Sequence, residues 1–195
     1  INETGPFIRR IISVIYKCGY DEVKIRFDNK RVFEIVQKEI RDIFIDYEIM
    51  EQSENYCIVK SIAEITTEKF EPTLRRAFLV SLSMADSVLE VINKNRYDEL
   101  NSLISLEQTN NRLTVFCRKL LVTKGYEQPE KIPFMYCIVE DLEKVTDEYK
   151  YLCLFLSKNN RKQIPTKFAL LLGEINALFR DLYSIYLNYD AKKTE

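Results

Sequence analysis

Glu140, Glu143 and Asp147 stand three and four residues apart, so on a helix their carboxylates project from one side. Such a line has two uses. It is a solvated face laced by pairs such as Glu140 with Lys144, each contributing about 0.2 to 0.5 kcal/mol, or it gathers a cation by oxygen ligation. The sequence has no histidine, which excludes Ser-His-Asp and Cys-His catalysis, zinc sites with imidazole ligands and the Glu-x-x-His di-iron pattern. Any metal site here would be built from carboxylates, which favour hard ions or oxidised iron.

Other chemistries find no support. Gly5, Gly19, Gly125 and Gly173 are isolated and read as turns, helix ends or packing contacts, not as a phosphate-cradling loop. The five cysteines, Cys18, Cys57, Cys117, Cys137 and Cys153, include no C-x-x-C pair and read as reduced core thiols of a cytosolic protein. No apolar run reaches the ~18 residues that span a bilayer, and no signal peptide is visible, so a cytoplasmic location without membrane insertion is expected. Lys plus Arg number 29 against 30 Asp plus Glu, and no block of like charge marks a nucleic-acid or membrane-surface footprint. At 195 residues and 46% hydrophobic content, the chain can bury a sizeable core in one large domain or two modest ones.

The acidic line belongs to the stretch Phe134 to Leu156, where Ile138, Leu142, Val145, Tyr149, Leu152 and Leu156 recur at spacings of four and three. That periodicity predicts a core stripe on one long helix. Upstream, Pro6 to Lys17 predicts a short helix with Phe7, Ile8, Ile11, Ile12 and Ile15 on its apolar face. Asp21 to Phe27 alternates as a half-buried strand, and Asp28 and Asn29 cap a helix over Lys30 to Asp42 with Val32 or Phe33, Val36 and Ile40 inward. Ile45 to Glu51 and Tyr56 to Ile62 predict a hairpin about a polar turn at Gln52 to Asn55. The period changes from about 2 to about 3.6 at Ala63 to Lys69, dividing a small α+β domain, 1–65, from a helical domain, 66–195.

Three more long helices complete the helical domain. Glu71 to Asn95 carries Leu74, Phe78, Leu82, Ala85, Leu89 and Ile92. Tyr97 to Thr123 carries Leu103, Leu106, Asn110, Leu113, Cys117 and Leu120. Pro165 to Asp190 carries Phe168, Leu172, Ile175, Phe179, Leu182, Tyr186 and Tyr189. Short connections make neighbouring helices antiparallel, so the expected fold is mainly α: an up-down bundle of about four long helices behind a small α+β domain.

Ile138 to Leu152 resembles the repeat-ending helix of PhoU-type phosphate-uptake regulators, whose pattern is a Leu-Glu pair followed after a short gap by Asp, here Leu142, Glu143 and Asp147. Leu106 to Leu113 resembles the family's other motif, in which one acidic residue follows another four positions on. Glu107 matches the first of these, and Asn111 stands where the second carboxylate is expected. Gly19 to Ile40 and Tyr47 to Ile62 resemble the small α+β unit that precedes the helical domain in archaeal members. Many of those carry an AbrB-like DNA-binding hairpin in front, which these residues do not include.

The resemblance implies a non-enzymatic regulator of phosphate uptake and phosphate signalling, with a phosphate transporter or signalling component as protein partner. Family bundles contain two three-helix repeats. One is complete here and the next helix begins a second, so a homodimer is expected to supply the missing packing surface. Some members bind metal through acidic motifs, which implies Glu107, Glu143 and Asp147 as ligands, with Asn111 and Glu140 as further candidates, for iron, zinc or magnesium. Without a metal, close carboxylates need cationic partners, and Arg112, Arg118, Lys144 and Lys150 are available. Two other readings stand beside this one. The chain could be the sensing and oligomerisation part of a transcriptional regulator whose DNA reader lies upstream, since near-neutral charge argues against DNA contact by these residues. A carboxylate-bridged metalloenzyme is weakened by the lack of histidine.

Overall fold

The computed structural model describes residues 5–158 and 164–188. The chain is mainly helical with a small three-stranded antiparallel sheet. In order the elements are α1 (Gly5–Cys18), β1 (Glu22–Arg26), α2 (Lys30–Ile43), β2 (Tyr47–Gln52), β3 (Tyr56–Ser61), α3 (Phe70–Asn93), α4 (Leu100–Lys124), α5 (Ile132–Lys158) and α6 (Thr166–Leu187). The expected order of a short α-β-α-β-β segment followed by four long helices therefore holds. Local chemistry sets several boundaries. The Asn29 side chain accepts the Arg31 backbone N–H at 2.8 Å and caps α2. Gly125, at φ 76°, takes the left-handed turn that ends α4. Pro129 opens the 3₁₀ turn leading into α5.

The strands lie in the order β1-β3-β2. Val59 faces Val23 on one side and Ile49 on the other, and a bulge interrupts the β2 register between Ile49 and Glu51. Alternation buries Tyr47, Cys57 and Val59 with Ile8, Ile12 and Tyr16 of α1 and Phe33, Val36 and Ile40 of α2.

The residues pack as two compact units, 1–75 with 111–140 and 76–110 with 141–195. The change of period near residue 65 is a boundary in local structure. Packing groups the chain differently, and α3, α4 and α5 each contribute residues to both units.

The first unit is centred on Asp46, in the connection between α2 and β2. Its carboxylate is buried and accepts the Tyr16 hydroxyl at 2.5 Å, the Ser61 hydroxyl at 2.7 Å and the Lys119 ammonium of α4 at 2.6 Å. Lys119 is only 1% exposed, and its ammonium also lies 4.5 and 4.2 Å from the Tyr16 and Tyr47 ring centroids. Tyr16 in turn stacks on Phe44 at 4.1 Å. Burial pushes the Tyr16 and Tyr47 hydroxyls up, Tyr47 to about 12. The Lys119 ammonium is pulled down by burial, against the opposing pull of Asp46. Gly19, at φ 74°, closes α1 where any Cβ would lie 1.8 Å from the Thr123 methyl.

In the second unit, Met84, Val88, Leu100, Tyr149, Cys153, Leu156 and Leu172 share one core cluster drawn from all four long helices. Three expected faces are displaced from their predicted positions. On α5 the buried seam is Met135, Val139, Leu142, Thr146, Tyr149, Cys153 and Leu156, while Val145 is exposed. Thr146 and Cys153 enter the seam because a hydroxyl that bonds the Leu142 carbonyl and a thiol pack as small apolar groups. On α6 the buried seam is Leu172, Asn176 and Phe179, and Ile175 and Leu182 are exposed. Tyr189 lies outside the described residues. On α1 Tyr16 joins Ile8 and Ile12 inside, leaving Phe7 and Ile11 outside. Cys57, Cys117 and Cys153 are buried and free as expected, but Cys18 and Cys137 are exposed and are not core thiols.

Lys119→Met leaves the Asp46 carboxylate buried without its cation and is expected to lower the unfolding free energy by about 3 to 5 kcal/mol. Urea titration followed by circular dichroism measures the loss. Adding Asp46→Asn should recover much of it, whereas an equal loss in both variants would remove the ion pair from this account.

Candidate functional site

A buried polar layer positions the acidic residues of the second unit. Asn110 of α4 donates its amide to the Ser81 hydroxyl at 2.7 Å and to the Ala77 carbonyl at 3.2 Å, both on α3. The Ser81 and Thr146 hydroxyls meet at 2.7 Å. Slipping any of these helices by one residue would strand a buried polar group, at about 1 to 3 kcal/mol each, so the layer holds α3, α4 and α5 in register. One turn from Asn110 is Glu107, and adjacent to Thr146 is Asp147. Alignment of the layer brings these two carboxylates together.

Lys150 lies between them. Its ammonium donates to Glu107 Oε1 at 3.1 Å and to the Asp147 carboxylate three residues back on α5. Burial raises the Glu107 pKa, the Lys150 ammonium pulls it back, and the Asp147 carboxylate adds to the rise. For Lys150 the bonds to Asp147 and Glu107 outweigh burial and raise its pKa. The trio is a partly buried charge cluster with one net negative charge.

Of the residues expected at a shared acidic site, the structure joins Glu107 and Asp147. Glu143, one turn before Asp147, is half-buried and already engaged with a neighbour. Asn111 and Glu140 belong to the other compact unit. Asn111 is half-buried, and its carbonyl accepts the Thr114 hydroxyl at 3.1 Å. Among the described residues no three Cys, Asp or Glu side chains converge as a metal-binding group. The Lys150 ammonium donates to one oxygen of each carboxylate, so the two acidic groups are held as an internal ion-paired cluster. Lys150 stands among the candidate cations in the sequence. Its choice over Arg112, Arg118 and Lys144 follows from helix register, which periodicity does not resolve.

No protein-family model, curated protein or solved structure matches this chain.

A second polar bridge, unexpected from the sequence, ties α6 to its neighbours. The Tyr149 hydroxyl donates to Asn176 Oδ1 at 2.6 Å, and the Asn176 amide donates to the Ala85 carbonyl at 2.8 Å. Burial pushes the Tyr149 hydroxyl up to about 12. An asparagine one residue beyond Ile175, inside an apolar run, was the available signal. Beside this bridge a groove of about 360 Å³ is lined by Val145, Glu148, Tyr149, Leu152, Leu172 and Ile175. In the first unit a groove of about 550 Å³ follows β2 and the end of α2, with Arg41, Glu48, Glu51 and Arg112 on its walls. No helix among the described residues is long and apolar enough to cross a membrane.

Lys150→Ala leaves two carboxylates facing each other without a cation and is expected to destabilise the chain by about 1 to 3 kcal/mol, read from the urea midpoint. Asp147→Asn in that background should restore part of the loss, and no recovery would show that the two carboxylates are not coupled. A pH series tests Glu107. Its folded-state pKa lies above the unfolded value, so the native state binds the proton more tightly, and its contribution to stability grows as pH falls through the folded pKa toward the unfolded one. Parent protein should therefore gain on Glu107→Gln between neutral pH and about pH 4.5. A constant difference across that range would contradict the assignment.

Proposed function

We propose that this chain is a non-enzymatic regulator of phosphate uptake and phosphate signalling that acts in the cytoplasm through protein contacts, on a PhoU-like antiparallel bundle formed by α3 to α6. The observation that carries this reading is the motif Leu142-Glu143-Lys144-Val145-Thr146-Asp147. Leu142 and Thr146 are buried on the inner face of a long helix, while Glu143 and Asp147 lie half-exposed beside it. The α-β-α-β-β segment ahead of four long helices supports the same reading.

At the groove beside α6 the lining favours contact over catalysis. Paired acid and base chemistry needs a positioned donor and acceptor around a reacting atom. That groove presents Glu148 and otherwise Val145, Leu152, Leu172, Ile175 and a Tyr149 whose hydroxyl already donates to Asn176. The reading includes no metal, since Lys150 supplies the positive charge that Glu107 and Asp147 require.

Deletion of the gene in its own host tests the proposal. Uptake of radiolabelled phosphate by phosphate-replete cells is expected to rise in the deletion strain and to return to the parental rate when the chain is restored. Uptake that is unchanged under both replete and limiting phosphate would overturn the reading.

A further inference from the structure

Strand β2 lies at one edge of the sheet and pairs only with β3. At its two ends the Ile62 amide donates to the Asp46 carbonyl and the Ser53 amide to the Tyr56 carbonyl, both at 2.8 Å. Main-chain bonding alternates along an antiparallel pair, so Glu48 and Glu51 turn their main chain to β3 while Ile49 and Gln52 turn theirs to the open edge. None of the described residues bonds to that outward main chain. The groove of about 550 Å³ follows this edge, and its other wall sets Ile40, Phe44 and Ile45 beside the Ile49 and Met50 side chains of the strand.

We propose that an extended segment of a partner protein pairs with this edge as a fourth strand, its side chains alternating between apolar groups and Lys or Arg. The main chain sets the conformation of the occupant, because unpaired edge amides and carbonyls are matched by another extended chain. The side chains set its chemistry. Apolar groups on one face of the segment enter the groove beside Ile45, Ile49 and Met50, of which Ile45 and Met50 are 41% and 59% exposed. Groups on the other face lie beside Glu48 and Glu51, which are exposed on the solvent side of the sheet.

Charge selects the segment. β2 carries Glu48 and Glu51 and no basic residue. Lys60, opposite Glu48, is engaged by Glu22 at 2.7 Å, and Glu51 accepts the neutral Tyr56 hydroxyl, so neither carboxylate has a cation among the described residues. Opposite charges on adjacent strands attract and like charges repel. A second β2 paired antiparallel would set carboxylate against carboxylate, and the edge therefore favours a basic segment over its own copy. Arg41 and Arg112 stand on the helical wall of the groove, where they repel a segment whose cations point inward and so fix which of its faces looks out. The site does not depend on a role in phosphate regulation, and either proposal can fail alone.

Fluorescence anisotropy on the full chain, with labelled synthetic peptides of about ten residues, tests the site. Valine alternates with lysine in one probe and with glutamate in another. The lysine probe is expected to bind at least ~10-fold more tightly than the glutamate probe and to slow hydrogen exchange at the Ile49 and Gln52 amides. Glu48→Lys with Glu51→Lys is expected to reverse that preference. A third probe needs no protein variant and keeps the test decisive if the double variant misfolds: the lysine peptide methylated on its central amide nitrogens retains its charge, cannot pair as a strand, and is expected to lose binding. A lysine probe that does not bind, equal binding of the two charges, unslowed exchange at Ile49 and Gln52, full binding by the methylated probe, or an unmoved preference in a folded double variant would each overturn the proposal.

Discussion

A carboxylate taken out of water must be matched, and the unit of residues 1–75 and 111–140 is arranged around one such group. Asp46 receives hydroxyls from α1 and β3 and an ammonium from α4, so four stretches distant in sequence meet at two oxygen atoms. Lys119 gains from the same arrangement. Its ammonium faces the carboxylate on one side and the Tyr16 and Tyr47 rings on others, replacing hydration with fixed groups. Removing any partner leaves a buried charge or hydroxyl unsatisfied, which is more damaging than losing an apolar contact of similar size. The C-terminal part of α4 therefore belongs to the unit that holds the sheet.

The unit of residues 76–110 and 141–195 uses the same rule with neutral groups. Asn110, Ser81 and Thr146 form one polar layer, and Tyr149, Asn176 and the Ala85 carbonyl form another. Leucine seams alone tolerate sliding, since one aliphatic contact resembles the next. Buried amides and hydroxyls do not tolerate it, because each requires a partner at a fixed distance. Register set in this way carries Glu107 to Asp147 and leaves Lys150 between them. The acidic line on α5 thus has a structural use, in which its strongest electrostatic demand is met from within the same helix.

Apolar groups also reach the surface of this unit. The outer side of α6 exposes Leu171, Ile175, Leu178 and Leu182 in regular order, and Val145 of α5 is exposed as well. An interior polar bridge and an exposed aliphatic seam lie on neighbouring sides of this one helix.

Periodicity and local chemistry were enough to read the order of elements from the sequence. Strand alternation at Val23, Ile25 and Phe27, the Asn29 cap, the Gly125 stop and the long apolar repeats each act within a few residues, so they survive without knowledge of the partner surfaces. The same reasoning placed Leu142, Tyr149 and Leu156 in the core and grouped Glu107 with Asp147 through the motif resemblance. It misassigned Val145, Ile175 and Leu182, because a helix with two adjacent apolar seams offers two faces of similar periodicity and only the neighbouring helices choose between them. Tertiary structure alone decided that Thr146, Cys153 and Asn176 lie inside, that Lys150 and not Arg112 serves the carboxylates, and that Asp46 finds Lys119 across 73 residues of chain. Apart from Cys153, which packs as a small apolar group, each of these is a match between polar or charged groups, and such a match depends on tertiary distances that local sequence does not encode.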